Sequence, residues 1–582
     1  MATPITSGTR ARTATVLKGL RAEHSGPPGP GDALAAEHLR LLGAEGVGSS
    51  GGLISVGEGE FDTVSARSVW SGRSELRDET AVQAATGIMA VHGRRFGAPR
   101  GLAVDYVAAT TGILTVQGLL AALLARARGG LTSQVEVSAE RAGLLAVSQY
   151  LAASGAEEDE AAEPGPGGPP FTSADGTVFE LETLDPGAWA AFWRALDAPE
   201  EATRRGWRPF QFRYATACAP FPNALHDVTR ARTWDTVRSA ADTSGAEVCR
   251  IRTLAERAAE HDGLGPWAMT TYDASCPLGA VPPTGMPLSG ITVLEAGRRI
   301  QAPLTAHLLR LLGADVVRVE PPAGDPLRGM PPTCSGVSAR WLALNRGKEA
   351  VEVDIKSASG RAQLCDLAAG ADVFLHNWAP GKAAQLGLER EDLAVGNPGL
   401  VYAHTSGWAD RLPDAPMGTD FMVQARTGVG EVVWPAGEPP VPSLMTLLDV
   451  LGGLLGAEAV LAGLLLRERT GRGIRTDSSL LGAADVLTAP ARASIARGQE
   501  HRSAAGFRYP TRTADGWIAA PDHRGLPYDV RELPTTRALE LLREHGVVAT
   551  PVVTDLSALL SSDAVTHDAH GAPAVPDPWS FR

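Results

Sequence analysis

The stretch GITVLEAGRRIQAPLTAHLLRLLGADVVRVE, residues 290–320, decides the fold. GITVLEAG (290–297) reads as a strand, an apolar run stopped by a glycine. PLTAHLLRLLGA (303–314) spaces its leucines along one helical face and closes at Gly313, an amphipathic helix. DVVRVE (315–320) is a second strand. Downstream the alternation continues with KEAVEVDI (348–355), a helix GRAQLCDLAAGA (360–371), DVFLHN (372–377) and LVYAHTSG (400–407). Strands alternating with helices predict a parallel sheet covered by helices, with its ligand at the carboxyl ends of the strands. No turn among them carries GxGxxG or GxxxxGK[ST], so a dinucleotide fingerprint and a phosphate loop are excluded.

Parts of this pattern occur earlier in the chain. AAEHLRLLGAE (35–45) matches TAHLLRLLGAD (305–315), with Gly43 opposite Gly313, 270 positions on. VQAATG (82–87) matches VQARTG (423–428) at an offset of 341, and SADG (173–176) matches TADG (513–516) at 340. The second copy therefore carries about 71 extra residues between its first two matches, in the region that includes the strands at 348–377. At offset 341 Asp449 stands opposite Ala108, so the copies differ at a reactive side chain. Asp105 is three residues out of step and is not counted as a nucleophile.

Length and composition bound the remaining choices. A chain of 582 residues is too long for one core, and three or four domains are expected. A net charge of −13 and a pI near 5.5 argue against a general nucleic-acid-binding surface. The mean hydropathy of −0.04 is ordinary for a globular protein. The apolar run VLGGLLGAEAVLAGLLL (450–466) is short and contains Glu458, so a buried helix is expected and no membrane partner. Five cysteines without CxxC spacing suggest neither a zinc site nor a redox motif and fit a reducing cytoplasm. Breaks fall in a loose leader (1–32), in EEDEAAEPGPGGPP (157–170) and in CPLGAVPPTGMP (276–287).

Read in order, GITVLEAGRRIQAP (290–303), LLRLLGADVVRVEPPAGDPLRG (308–329), LNRGKEAVEVDIKSASGR (344–361), ADVFLHNWAPG (371–381), NPGLVYAHTSGW (397–408), GTDFMVQARTG (418–428) and DVLGGLLGAEAVLAGLLLRERTGRG (449–473) resemble the class III CoA-transferases. This family includes formyl-CoA and carnitine CoA-transferases and α-methylacyl-CoA racemases. The resemblance implies an α/β fold: a Rossmann-like parallel-sheet large domain that binds coenzyme A, plus a smaller α/β domain. In the family two subunits interlock, and the site lies between the large domain of one and the small domain of the other. For this chain it implies a fused, pseudo-duplicated and interlocked pair with one complete site. The expected units are a degenerate large-domain half (33–156), a small α/β domain (171–275), a complete large domain (288–490) and a truncated small-domain and return segment (505–582). Such a pair is expected as a monomer or a homodimer.

The resemblance also places the chemistry. Asp449 matches the family's nucleophilic aspartate, and its place at the start of an apolar helix predicts that the helix dipole favours the ionised form. A capping role is the alternative for an aspartate at a helix start. Arg298, Gln301, Ala302, Arg318, Asn345, Arg346, Lys348, Asn377 and Trp378 fall on positions that would contact coenzyme A. Two departures stand out. Racemases carry histidine in the GHD motif where this chain has Thr419, which disfavours α-proton exchange. The family's usual Ala-Gly-Pro is here Gln301-Ala302-Pro303. His376 and His404 are read as structural. The function implied is transfer of coenzyme A between an acyl-CoA and a carboxylic acid, without a metal. The alternatives are a CoA-ester isomerase, dehydratase or lyase, and a non-catalytic CoA-binding protein.

Overall fold

The computed structural model describes residues 15–48, 51–58, 61–73, 75–275, 283–521, 526–562 and 565–582. At its centre the helices Tyr106–Ala127 and Leu447–Thr470 pack on one another. Both are apolar around most of their circumference, the pattern of a helix buried on all sides. By length and composition both could cross a membrane, but each lies largely inside the protein. Side chains fasten the pair: Tyr106 donates to the Leu447 carbonyl at 3.0 Å and Gln117 to the Leu454 carbonyl at 2.7 Å. Gly453 lets the Leu447–Thr470 helix close on the Gln301–Leu311 helix, where the Thr305 hydroxyl reaches the Gly453 carbonyl at 2.9 Å.

Each long helix covers its own sheet. The larger sheet has seven strands in the order Glu349–Glu352, Asp315–Glu320, Thr292–Ala296, Val373–His376, Val401–Ser406, Arg472–Ser479 and Trp267–Ser275. The first six run parallel and the last antiparallel. Counted along the chain, the parallel strands lie 3-2-1-4-5-6, so the winding direction reverses between Thr292–Ala296 and Val373–His376. All the strands expected in 290–407 form, shifted by no more than three residues at their ends. The second sheet holds Arg21–Ser25, Leu53–Glu58, Phe61–Val69, Gln134–Ser138 and Trp579–Phe581. Phe61–Val69 pairs parallel with Gln134–Ser138, and the other strand pairs described in this sheet are antiparallel.

The last strand of each sheet comes from a distant stretch of chain. Trp267–Ser275, ahead of the other six strands in sequence, edges the larger sheet, and Trp579–Phe581 edges the sheet of the first half. Two small units are each built on a three-stranded antiparallel sheet: Phe171–Thr172, Val178–Glu182, Glu247–Arg250, and Thr511–Arg512, Trp517–Ala519, Thr550–Pro551. In the first, Asp175 accepts from the Trp234 N–H at the start of the helix Trp234–Ser244. In the second, Asp515 does the same for the Thr535 N–H of Thr535–Glu544. The helices Pro186–Ala195, Glu200–Thr216 and Asn223–Arg230 have no counterpart among the described residues of the second. The first small unit docks through the Arg252 N–H on the Ala425 carbonyl (2.8 Å), the second through the Val553 N–H on that of Ala84 (3.0 Å).

Two boundaries need correction. The leader at 1–32 is not loose throughout: Val16, Leu17 and Leu20 are buried, and Arg21–Ser25 is a sheet strand. Its few apolar residues pack because the sheet beside them needs an edge. Residues 1–14 lie outside the described residues. The small domain at 171–275 ends earlier, because Trp267–Ser275 leaves it for the larger sheet. The segment 157–170 has no regular structure but is tied down, with Glu158 accepting from the Thr333 N–H and Glu160 pairing with Arg340.

Candidate active site

Asp449 sits in the first turn of the Leu447–Thr470 helix, whose N-cap is Thr446, so Asp449 does not cap it. That task falls to Asp420, which accepts the Asp449 N–H at 2.7 Å on one oxygen and Gln424 at 2.5 Å on the other. In the first half Glu79 takes the same place, accepting the Val107 and Ala108 N–H groups at 2.8 and 2.9 Å, with Gln83 beside it. The third helical position, held by Asp449 in the Leu447–Thr470 helix, is held by Ala108 in the Tyr106–Ala127 helix.

The surroundings of Asp449 come from both halves. Glu182, from the strand Val178–Glu182, accepts the Thr419 hydroxyl at 2.8 Å and pairs with Arg213 at 3.0 Å. Arg299 reaches in from the loop after the first strand, with a left-handed φ of 63° that is unusual for a side chain of this size. Burial pushes the Asp449 carboxyl up to about 6, Arg299 opposes the rise and Glu182 adds to it. This corrects the expectation that the helix dipole would dominate. Burial, and the neighbouring Asp449 charge, push Asp420 well above the usual carboxylate range. The two carboxyls titrate as a pair. Of the pair, Asp420 is the more deeply buried and is pushed up further, so it keeps a proton to higher pH and Asp449 gives its own up first.

The other residues singled out in the sequence divide into two groups. Arg298, Asn377 and Trp378 stand at the reversal point between the first and fourth strands. The Arg298 N–H donates to Asn377 Oδ1 and Asn377 Nδ2 returns to the Arg298 carbonyl, both at 2.9 Å, clasping the two strand ends. Trp378 is half-buried and packs on His376, which stacks in turn on His404. These three residues line the place where the ligand of an open parallel sheet is expected.

Arg318, Asn345 and Lys348 instead face inward. Arg318 is 2% exposed and surrounded by Glu295, Glu320 and Asp325. Burial works against its charge, but the carboxylates outweigh it. The Lys348 amine is held by Glu295, the Pro303 carbonyl and Asn345 at 2.7, 2.8 and 2.9 Å, and burial lowers it to about 8. These cations neutralise a buried glutamate in the first strand and are not free to meet a phosphate. Arg346 spends donors on the Ala343 and Val575 carbonyls. Gln301 and Ala302 are buried where the Gln301–Leu311 helix meets the Leu447–Thr470 helix. Sequence reading missed Arg299, Glu182 and Asp420. A signal existed for Glu182, since FELE (179–182) places two glutamates in an otherwise apolar strand.

The site thus joins a parallel sheet that reverses its winding beside Arg298, Asn377 and Trp378 to a carboxylate of raised basicity, Asp449. The chain belongs to CoA-transferase family III, whose family model matches residues 73–273 and 288–521. It is 32% identical over 242 residues to the succinyl-CoA:glutarate CoA-transferase of Mus musculus, covering 40% of this chain and 56% of that protein. It is 37% identical over 202 residues to the succinyl-CoA–L-malate CoA-transferase β subunit of Chloroflexus aurantiacus, covering 34% and 50%. The chain spans about half the length of these curated relatives. A CAIB/BAIF family protein from Brucella suis aligns with 50% of this chain and 92% of its own, at 25% identity and a TM-score of 0.44.

Proposed function

We propose that this protein moves coenzyme A between an acyl-CoA thioester and a carboxylic acid, with Asp449 as the nucleophile. The observation that carries this is a half-buried Asp449 of raised basicity whose N–H is held by the more deeply buried Asp420, with the cation Arg299 acting on it. The Asp449 carboxylate attacks the thioester carbonyl and the thiolate leaves, giving an acyl-aspartyl anhydride. The thiolate then attacks the Asp449 carbonyl and the first acid departs as its carboxylate, leaving an aspartyl–CoA thioester. The incoming acid attacks that carbonyl, releases thiolate and forms a second anhydride. Thiolate attack on the new acyl carbon completes transfer and restores Asp449. A carboxylate whose basicity burial has raised is a stronger nucleophile yet still mostly ionised at pH 7. The reading as an isomerase receives no support from Thr419, whose hydroxyl is spent on Glu182.

The same reading takes the chain as a fused pseudo-dimer with one working site and a Rossmann-like larger sheet. The exchanged edge strands, the mirrored Asp420 and Glu79 and the reciprocal docking at Ala425 and Ala84 support it. In this reading the units are 33–156, 171–275 shortened at its end, 288–490 and 505–582, working as a monomer or homodimer in the cytoplasm. Coenzyme A would lie at the reversal point, against Arg298, Asn377 and Trp378. The test is intact-mass spectrometry after mixing with a panel of acyl-CoAs and hydroxylamine. A hydroxamate on Asp449, missing in Asp449→Ala, is expected; its absence from the wild type would overturn covalent transfer.

A further inference from the structure

The approaches to the two long helices repeat each other within one chain. Glu79 to Ala108 and Asp420 to Asp449 run in register, 341 positions apart. Gln83 Oε1 takes the Leu102 N–H at 2.8 Å, and Gln424 Oε1 takes the Ser443 N–H at 2.8 Å. The Arg100 N–H meets the Met89 carbonyl at 2.9 Å, and the Val441 N–H that of Gly430 at 2.7 Å. With its oxygen claimed, each glutamine must turn Nε2 to the carboxyl that holds the helix start, Glu79 or Asp420. The copies part at one buried contact. His92, from the first half, shares a hydrogen bond of 2.8 Å with the Ser443 hydroxyl, and its ring stacks on Trp434 with centres 4.1 Å apart. Nearby, Arg95 Nη1 donates to the Pro442 carbonyl at 2.9 Å. Burial, helped by the charges of Arg95 and Arg100, lowers the imidazole to about 3, so it is neutral at working pH. The mirrored positions hold Val433 and Leu102, both apolar and buried.

A buried polar pair must recover the cost of leaving water, and an apolar pair serves the same backbone at the mirrored place. The fold alone therefore does not ask for His92 and Ser443, and they stand only on the side that carries the reactive carboxylate. We propose that His92 and Ser443 are positioning residues for the transfer reaction, through which the first half fixes the loop that orients Gln424, Asp420 and the helix start at Asp449. This rests on the transferase reading. The links are the imidazole to the Ser443 hydroxyl, the Ser443 N–H to Gln424, Gln424 to Asp420, and Asp420 to the Asp449 N–H. Holding a reacting group in one geometry lowers the barrier without tightening the hold on substrate. Because both copies lie in one chain, each carries its own residue at a shared position.

The test gives the side of Asp449 the residues of its mirror, His92→Val with Ser443→Leu, in the full chain. Hydroxamate formation on Asp449 is timed with the acyl-CoA of the panel that labels it fastest. Deuterium exchange of the Asp449 and Ala108 amides is followed alongside. The double variant is expected to fold and to lose about tenfold in kcat at unchanged KM, the worth of one hydrogen bond. Its Asp449 amide should exchange about tenfold faster, while the Ala108 amide keeps its rate. His92→Asn, whose amide reaches the place of Nδ1, should keep most of the wild-type rate and protection. Leu102→Val, at the mirrored position, should change neither. Should the double variant not fold, Ser443→Ala is read in the same way. An unchanged kcat, a loss carried by KM, an unchanged Asp449 amide, full loss in His92→Asn or an equal loss in Leu102→Val would each overturn the proposal. A faster Asp449 amide in a protein whose wild type forms no hydroxamate would sink the transferase reading and leave the positioning role standing. Hydroxamate in the wild type with unchanged exchange in the variant would do the reverse.

Discussion

Replacing Arg299 by glutamine tests how the nucleophile is tuned. Burial and Glu182 raise the Asp449 carboxyl to about 6, and Arg299 is the cation that restrains it. A nearby opposite charge lowers a carboxyl by about one to three units. Arg299 is exposed to solvent, which screens it, so the lower end of that range applies. Without Arg299 the carboxyl should titrate near 7, about one unit higher. The ionised fraction would then fall from about one-half to one-tenth at pH 6, and from about nine-tenths to one-half at pH 7. The rate of hydroxamate formation, measured from pH 5 to 9, should drop about fivefold at pH 6 and twofold at pH 7. Above pH 8 the two proteins should converge, because both nucleophiles are then ionised. A uniform loss at every pH would mean that Arg299 binds substrate without tuning Asp449. An acidic limb displaced downward would refute the electrostatic account.

Asp420→Asn keeps a carbonyl oxygen for the Asp449 N–H and, because Asp420 keeps its proton to higher pH than Asp449, should leave the acidic limb where it is; a limb displaced downward would count against that order of titration. Gly453→Ala places a methyl 2.9 Å from the Leu304 side chain and 3.0 Å from the Gln301 carbonyl, and should cost about 1–3 kcal/mol in urea unfolding. Burial, joined by Glu182, pushes Glu180 up to about 7 from an ordinary 4.5, so its protonated form suits the fold. Its contribution is complete below pH 4.5 and is lost as pH rises through 7. Glu180→Gln should therefore gain up to about 3 kcal/mol over wild type at pH 8 and nothing at pH 4.5, measured by urea unfolding at both pH values. His38 and Glu458 meet at 2.9 Å in the full interior between the halves, and Glu458→Ala should cost about 1–3 kcal/mol, much of which a His38→Leu/Glu458→Leu double variant should recover in the same assay.

Much of the larger sheet was legible because its strands are short apolar runs set off by glycines, and its helices repeat leucine at helical spacing. The long buried helix was equally plain, since Glu458 and the glycines argued against a membrane span. The residues around Asp449 were harder to see. Glu182 and Arg213 lie more than 200 positions from it and come together only through tertiary packing. Arg318 and Lys348 misled for a related reason. A cation at a strand end suggests a phosphate ligand, but Glu295 lies unseen on the neighbouring strand and claims both. Periodicity reports which face is buried and cannot report which charges are already paired. The strand Arg21–Ser25 escaped notice because RAEHS has no apolar alternation to mark it.

The exchanged edge strands constrain how this protein comes into being. During synthesis the sheet of the first half emerges with Gln134–Ser138 unpaired along one side, and the strand that covers it follows more than 400 positions later. Until then that edge is a template for any extended segment, including another nascent copy. Trp267–Ser275, in turn, is made long before the sheet it will join. Neither half can reach its final shape alone, so the two must mature together, and the growing chain must be kept from pairing with its neighbours on the ribosome.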